Sequence, residues 1–263
     1  MERTEQIFIQ ALMHKGVINE QTMRYLCTNI FERTDQTIQY YIAKANKRLE
    51  CLGMGIKSAN CELTGKKYWL FTSTVIPDYE NINYDSKLFL EFTRCELKYL
   101  SKIFGMIINS DEGYISSINC INLVGEMEEH FTRSQADEFI KKMTQKMWLS
   151  QVDGHIYLGV RSIIEFLPLF KTKFRENLES CSLCKLTVFF GQNCETCNIK
   201  FHTYCLEKVL KMSSSAKCMN CHSFLNKPTL FNDETIMNVE DQSHSNNEHE
   251  PSTSRKRTRR TNS

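Results

Sequence analysis

The chain has 263 residues, 41% hydrophobic and 24% charged, with a formal net charge of +2; these are the proportions of ordinary globular protein with room for two or three small domains. No uninterrupted apolar run approaches the roughly 18 residues that span a bilayer, and Met1 to Gln6 do not read as a secretory leader. The expectation is a cytosolic or nuclear protein with reduced thiols, so its twelve cysteines point to metal rather than to a disulfide framework.

Residues 1–160 read as one unit written twice. Ile38, Tyr41, Ile42, Ala45 and Leu49 form the apolar stripe of a helix, and Ala136, Phe139, Ile140, Met143 and Met147 repeat that spacing 98 residues later. Upstream, Gly16-Val17-Ile18-Asn19 precedes a helix with Met23, Leu26, Cys27 and Ile30 on one face. Gly113-Tyr114-Ile115-Ser116 likewise precedes a shorter helix with Ile118 and Ile121. In each turn a glycine ends one helix, and Asn19 or Ser116 is placed to cap the next.

Leading helices are expected around Glu5 to His14 and Ser86 to Ile108, and each unit closes with a hairpin. In the second, Trp148 to Val152 and His155 to Val160 flank Asp153-Gly154, a pair that tolerates positive φ. In the first, Met54 and Ile56 lead through Asn60 and Gly65 to Lys67-Tyr68-Trp69-Leu70-Phe71. Three helices and a hairpin make a winged helix. The fold class is therefore α+β, mainly α, with tandem winged helices at 1–80 and 84–160.

The third helices carry Lys44, Lys47 and Arg48, then Lys141, Lys142 and Lys146, which fit either a DNA groove or plain solvent. Tyr68, Trp69 and Phe71 fit either a partner surface or the core. A connecting helix is expected over 161–180, with Ile164, Leu167, Phe170, Phe174 and Leu178 on one face and a bend or boundary at Pro168. From 226 the chain turns polar and reads as a disordered tail to 263. It ends in Arg255-Lys256-Arg257-Thr258-Arg259-Arg260, a nuclear-import or merely solubilising cluster.

The chemistry sits at 181–225. Cys181/Cys184, Cys194/Cys197, His202/Cys205 and Cys218/Cys221 are four ligand pairs, each with two residues between its members. That gap lets one tight turn present both side chains to a single ion, and zinc takes four such ligands, so eight ligands imply two ions. Seven of the twelve cysteines fall in the 41 residues from Cys181 to Cys221. Both sites are closed by protein, as structural zinc requires, and metal binding supplies most of the stability of so small a module. Phe189, Phe190, Phe201 and Leu206 are its expected core, with His222 either surface or a spare ligand. Cys27, Cys51, Cys61, Cys95 and Cys120 read as small apolar residues.

The ligand order resembles PHD fingers and variant RING domains. That resemblance implies cross-bracing, with Cys181, Cys184, His202 and Cys205 on one zinc and Cys194, Cys197, Cys218 and Cys221 on the other. PHD fingers usually have an aromatic residue where this chain has Ala216; RING ligases usually place an apolar residue where it has Leu183. RING ligases also favour a proline and a cation where Met219 and His222 stand.

Tandem winged helices, a connecting helix and this zinc motif, over roughly 1–225, resemble the non-SMC element 1 family, the RING-like subunit of the Smc five-six complex. The resemblance implies a nuclear RING-type ubiquitin ligase in DNA repair and recombination, paired with a MAGE-type and a kleisin subunit. Leu183 would then touch a ubiquitin-conjugating enzyme. A non-enzymatic scaffold and a PHD-like chromatin reader or weak DNA binder are the alternatives.

Overall fold

The computed structural model describes residues 2–31, 36–74, 92–212, 216–228 and 231. The expected polar tail lies outside these, apart from 226–228 and 231, and so does its basic cluster. No helix among the described residues is long and apolar enough to cross a membrane.

The first unit runs α1 (Arg3–Lys15), β1 (Val17–Asn19), α2 (Glu20–Phe31), α3 (Ile38–Leu49), β2 (Met54–Asn60) and β3 (Lys67–Ser73). Its antiparallel sheet has the order β1-β3-β2. Asn19 caps α2 by accepting from the Thr22 amide at 2.9 Å, and Thr37 caps α3 through the Tyr40 amide at 3.3 Å. Phe8, Leu12, Met23, Tyr41, Ala45 and Leu49 from the helices close over Ile18, Ile56 and Trp69 of the sheet.

The wing aromatics pack within the chain, Trp69 as a core residue. Along β3, Trp69 and Phe71 face the helices of their own unit, while Tyr68 and Leu70 face the other way. That second face is covered by α7 (Val160–Lys173), whose Val160 and Ile164 pack on Leu70. A strand alternates its side chains, so with both faces of the sheet covered Trp69 is buried and Tyr68 and Phe71 are half-buried.

The second unit repeats the plan with α4 (Arg94–Ile108), β4 (Tyr114–Ser116), α5 (Ser117–Asn122), α6 (Arg133–Gln145), β5 (Leu149–Val152) and β6 (His155–Leu158). Its sheet order, β4-β6-β5, matches the first. Ser116 caps α5 through the Asn119 amide at 3.1 Å. Thr93 and Thr132 open α4 and α6 with reciprocal capping boxes to Glu96 and Gln135. Asp153 and Gly154 turn the hairpin with φ of 48° and 77°.

Several boundaries differ from expectation. α4 begins at Arg94 behind its Thr93 cap, and residues 86–91 lie outside the described ones. Trp148 precedes its strand and Val160 already opens α7. In α5 it is Cys120 that is buried, while Ile118 is 70% exposed, because a helix this short turns one narrow stripe to the core.

α7 continues past Pro168 and ends at Lys173, short of the expected Ser180. A 3₁₀ turn at Arg175–Asn177 and β7 (Glu179–Ser180) complete the segment. Beyond packing on the first sheet, α7 sends Phe166 and Phe170 into the second core, so it binds the two units together.

The last unit adds β8 (Thr187–Val188), β9 (Gln192–Asn193), β10 (Lys200–Phe201) and α8 (Thr203–Met212). Phe201, Leu206 and Val188 share its core with Cys181, Cys194 and Cys218. Phe189 and Phe190, expected in that core, point out of it. Phe189 joins the second unit's core, 5.6 Å from Phe170, and Phe190 meets Tyr157 edge-on at 5.1 Å. Ligand side chains already fill a module of this size, so its spare aromatic surface is buried against the winged helices. Of the scattered cysteines, Cys27, Cys61 and Cys120 are buried, Cys95 is half-buried and Cys51 is exposed. Burial pushes the Cys27 thiol up to about 11 and Cys120 to about 12, so both behave as inert small apolar groups.

Candidate metal centre

Three of the four ligand pairs sit in one repeated backbone turn. In each, the first cysteine's carbonyl accepts from the amide four residues on: Lys185 to Cys181 at 2.8 Å, Asn198 to Cys194 at 2.8 Å, His222 to Cys218 at 3.0 Å. The first cysteine's amide in turn donates to the carbonyl five residues on, in Leu186, Ile199 and Ser223. Closing so tight a loop forces left-handed backbone just after the second cysteine, and Lys185, Asn198 and His222 have φ of 62°, 57° and 60°. His222 therefore serves as a turn residue with an exposed side chain, outside both ligand clusters. The fourth pair is built differently. His202 stands immediately before α8, and the Cys205 and Leu206 amides donate to its carbonyl at 3.0 Å.

These turns bring the pairs together crosswise. Cys181, Cys184, His202 and Cys205 form one cluster, and Cys194, Cys197, Cys218 and Cys221 the other, with the ligand atoms of each within 4.8 Å of one another. A zinc–thiolate bond of about 2.3 Å places tetrahedral sulfurs roughly 3.8 Å apart. Here Cys194–Cys221 and Cys197–Cys218 are both 3.6 Å, and His202 Nδ1 lies 3.3 Å and 3.9 Å from the sulfurs of Cys184 and Cys205. The two clusters fit two zinc ions.

Electrostatics favour the same cation. Hydrogen bonding from Cys205 draws the Cys181 thiol down to about 2 against its burial, with His202 helping. That contact and burial push Cys205 well up. In the second cluster Ser223 holds Cys194 down to about 6, while burial lifts Cys218 to about 11. Each cluster thus sets a thiol drawn down beside one pushed up, as closely packed thiols do until a divalent ion neutralises them.

The first cluster is finished by residues outside the motif. Glu62, in the turn between β2 and β3, is only 6% exposed. Its Oε1 accepts from the Phe189 amide at 3.1 Å and its Oε2 from the Phe190 amide at 2.7 Å. Oε1 also lies 3.2 Å from His202 Nε2, which is 3.0 Å from the Thr187 carbonyl as well. The Tyr204 ring stacks on the imidazole at 4.7 Å. Buried Lys200 of the module pairs with Glu179 at 2.9 Å and donates to the Asp111 carbonyl of the second unit at 3.4 Å.

Two glycines permit this close approach. Gly65 has φ +70° and a Cβ there would meet Tyr204 at 2.6 Å; Gly113 has φ +76° and its Cβ would meet the Phe189 carbonyl oxygen at 2.1 Å. Sequence spacing gave no sign of Glu62, Lys200 or Tyr204.

Of the remaining candidates, Leu183 is half-buried against the zinc core and Met219 is 66% exposed. The third-helix cations are largely engaged within the chain. Lys44 pairs with Glu5 at 2.9 Å and Glu2 at 3.2 Å, Lys141 with Asp137 at 2.8 Å, and Lys142 with Glu96 at 3.4 Å.

Comparison with known proteins agrees with this layout. Residues 5–118 match the family model described as Nse1 non-SMC component of the SMC5-6 complex, and 181–221 match that of the RING-like domain. The chain is 27% identical over 223 residues to the rat non-structural maintenance of chromosomes element 1 homolog and 26% identical to the human one, covering 82% of each chain. The Drosophila melanogaster homolog is 23% identical over 195 residues, covering 73% of this chain and 80% of its own. A solved chain from the "Nse1-Nse3-Nse4 complex" superposes with a TM-score of 0.72 at 24% identity, over 88% of this chain and 99% of that one, and shares its fold. The first unit and the start of the second match the one model and the cysteine cluster matches the other, so in both parts the chain is similar to the Nse1 family.

Proposed function

We propose that the protein is the RING-like subunit of an SMC5-6 complex and acts there as a RING-type ubiquitin ligase in DNA repair and recombination, in the nucleus. Its partners would be a MAGE-type and a kleisin subunit, in keeping with the named complex that holds the structurally similar chain. The observation that carries this reading is the cross-braced pair of closed four-ligand clusters.

In this assignment Cys181, Cys184, His202 and Cys205 hold one zinc and Cys194, Cys197, Cys218 and Cys221 the other. With every position filled by protein, neither ion has a place for reactive water. Catalysis is then positional: the module holds a ubiquitin-charged conjugating enzyme so that a substrate lysine attacks the thioester in a favourable orientation. Leu183 and Met219, one beside each site, supply the apolar contact.

The test is ubiquitin discharge from a panel of charged conjugating enzymes, with the MAGE-type subunit present. Discharge should occur, fall at least tenfold in Leu183→Ala, and vanish in His202→Ala. An unchanged rate in Leu183→Ala would remove the proposed contact. Silence across the panel, with both zinc ions bound, would favour the non-enzymatic scaffold, a reading supported by the module's firm docking through Glu62, Phe189 and Lys200. DNA contact would rest on Lys47 and Arg48, because Lys44, Lys141 and Lys142 already have carboxylate partners.

A further inference from the structure

The carboxylate of Glu62 comes from the first winged-helix unit yet ends inside the zinc module, 3.2 Å from His202 Nε2. On the same imidazole, Nδ1 faces the sulfurs of Cys184 and Cys205. A histidine that gives one nitrogen to a metal needs its other N–H held, because that bond fixes the ring's tautomer and orientation and raises its basicity. Glu62 and the Thr187 carbonyl are the two acceptors within reach.

The pocket presents donors to both oxygens of the Glu62 carboxylate. The amides of Phe189 and Phe190 each donate to one oxygen of Glu62, and His202 Nε2 lies 3.2 Å from Oε1 and 3.0 Å from the Thr187 carbonyl. Both oxygens must accept, and a glutamine would turn its own NH₂ toward one of these donors. A carboxylate this deeply buried is tolerable only with such a set of donors. The donors form only where Gly65 and Gly113 let the winged helices approach the module.

We propose that Glu62 is a positioning residue for the zinc site of Cys181, Cys184, His202 and Cys205, so that this site is complete only when the module is docked on the first wing. The site's hold on its metal thus reports the position of a domain remote in sequence, while the second site, with no such donor set among the described residues, is independent of docking. The inference rests on the ligand assignment made above.

The experiment uses the full chain and follows zinc release to a chromogenic chelator. In Glu62→Ala and Glu62→Gln, one of the two ions should leave about 10- to 100-fold faster, in line with the loss of an outer-sphere partner. The other ion should leave at its original rate, which also shows that the module remains folded. In a His202→Cys background the imidazole N–H is gone, and adding Glu62→Ala should change release less than about twofold. A parallel ¹¹³Cd NMR spectrum of the cadmium-loaded chain should show Glu62→Ala shifting the three-sulfur, one-nitrogen resonance while the four-sulfur resonance stays in place. Unaltered release and unmoved resonances would overturn the proposal, as would equal acceleration in both backgrounds, which would reduce Glu62 to a docking contact through the Phe189 and Phe190 amides. A zinc content other than two per chain in the unmodified protein would overturn the ligand assignment, and the proposal with it.

Discussion

Replacing Gly113 by alanine tests the docked arrangement with a single methyl group. The backbone there has φ +76°, and the new Cβ would lie 2.1 Å from the Phe189 carbonyl oxygen and 3.1 Å from Phe190 Cα. A non-glycine residue in this conformation costs about 1–2 kcal/mol. Relieving the contact requires the Phe189–Phe190 segment to retreat by about 1 Å, since carbon–oxygen contacts sit near 3.3 Å. That retreat stretches the 2.7 Å bond from the Phe190 amide to Glu62 beyond hydrogen-bonding range. A lost bond to a charged acceptor costs about 1.5–3 kcal/mol. Together these give a destabilisation of about 2.5–5 kcal/mol, read by urea denaturation of the zinc-loaded chain. Hydrogen exchange at the Phe189 and Phe190 amides should rise in parallel. A loss below about 1 kcal/mol with both amides still protected would refute the docking geometry.

Trp69→Ala should cost about 3–5 kcal/mol in the same denaturation experiment, as expected of a core ring; a change under about 1 kcal/mol would return Trp69 to the surface. Chelating the zinc should unfold 181–225 while α1 to α6 keep their hydrogen-exchange protection, because the metal supplies the module's stability and each winged helix has an apolar core of its own. Lys44→Ala should destabilise the first unit, because it leaves the 3% exposed Glu5 carboxylate without the cation it faces, as read by the same denaturation experiment. The pH dependence follows from sign. The hydrogen bond from Lys44 holds the Glu5 carboxyl below its ordinary value, so the pair's contribution is present above the ordinary carboxylate pKa and fades as pH falls through the lowered one. In Lys44→Ala that acid-side loss should flatten, as measured by stability from neutral pH into the acid range.

The parts of this protein legible in the sequence are those governed by local rules. Each cysteine pair is one turn, so the two-residue gap was enough to indicate two ions. The capping roles of Asn19 and Ser116 depend on an amide three residues away and are borne out. The Asp153-Gly154 turn needs only its own two dihedrals. What the sequence conceals is decided across the chain. The run Tyr68-Trp69-Leu70-Phe71 reads the same whether one face of its sheet is covered or two, and α7 covers the second from about 90 residues downstream. Phe189 and Phe190 are apolar in either setting, and only the docked winged helices reveal which core they serve. Glu62 stands 140 residues before His202, and a lone glutamate in a hairpin turn carries no pattern that links it to a metal.

The most direct test of the account is the zinc X-ray absorption edge of the purified, zinc-loaded full chain. The cross-braced assignment predicts two ions sharing seven sulfurs and one nitrogen, with no coordinated water, and His202→Ala should remove the nitrogen contribution together with one ion. An oxygen ligand in the first shell, or a nitrogen contribution that survives His202→Ala, would contradict the closed sites on which the structural role of the metal and the positional mechanism both depend.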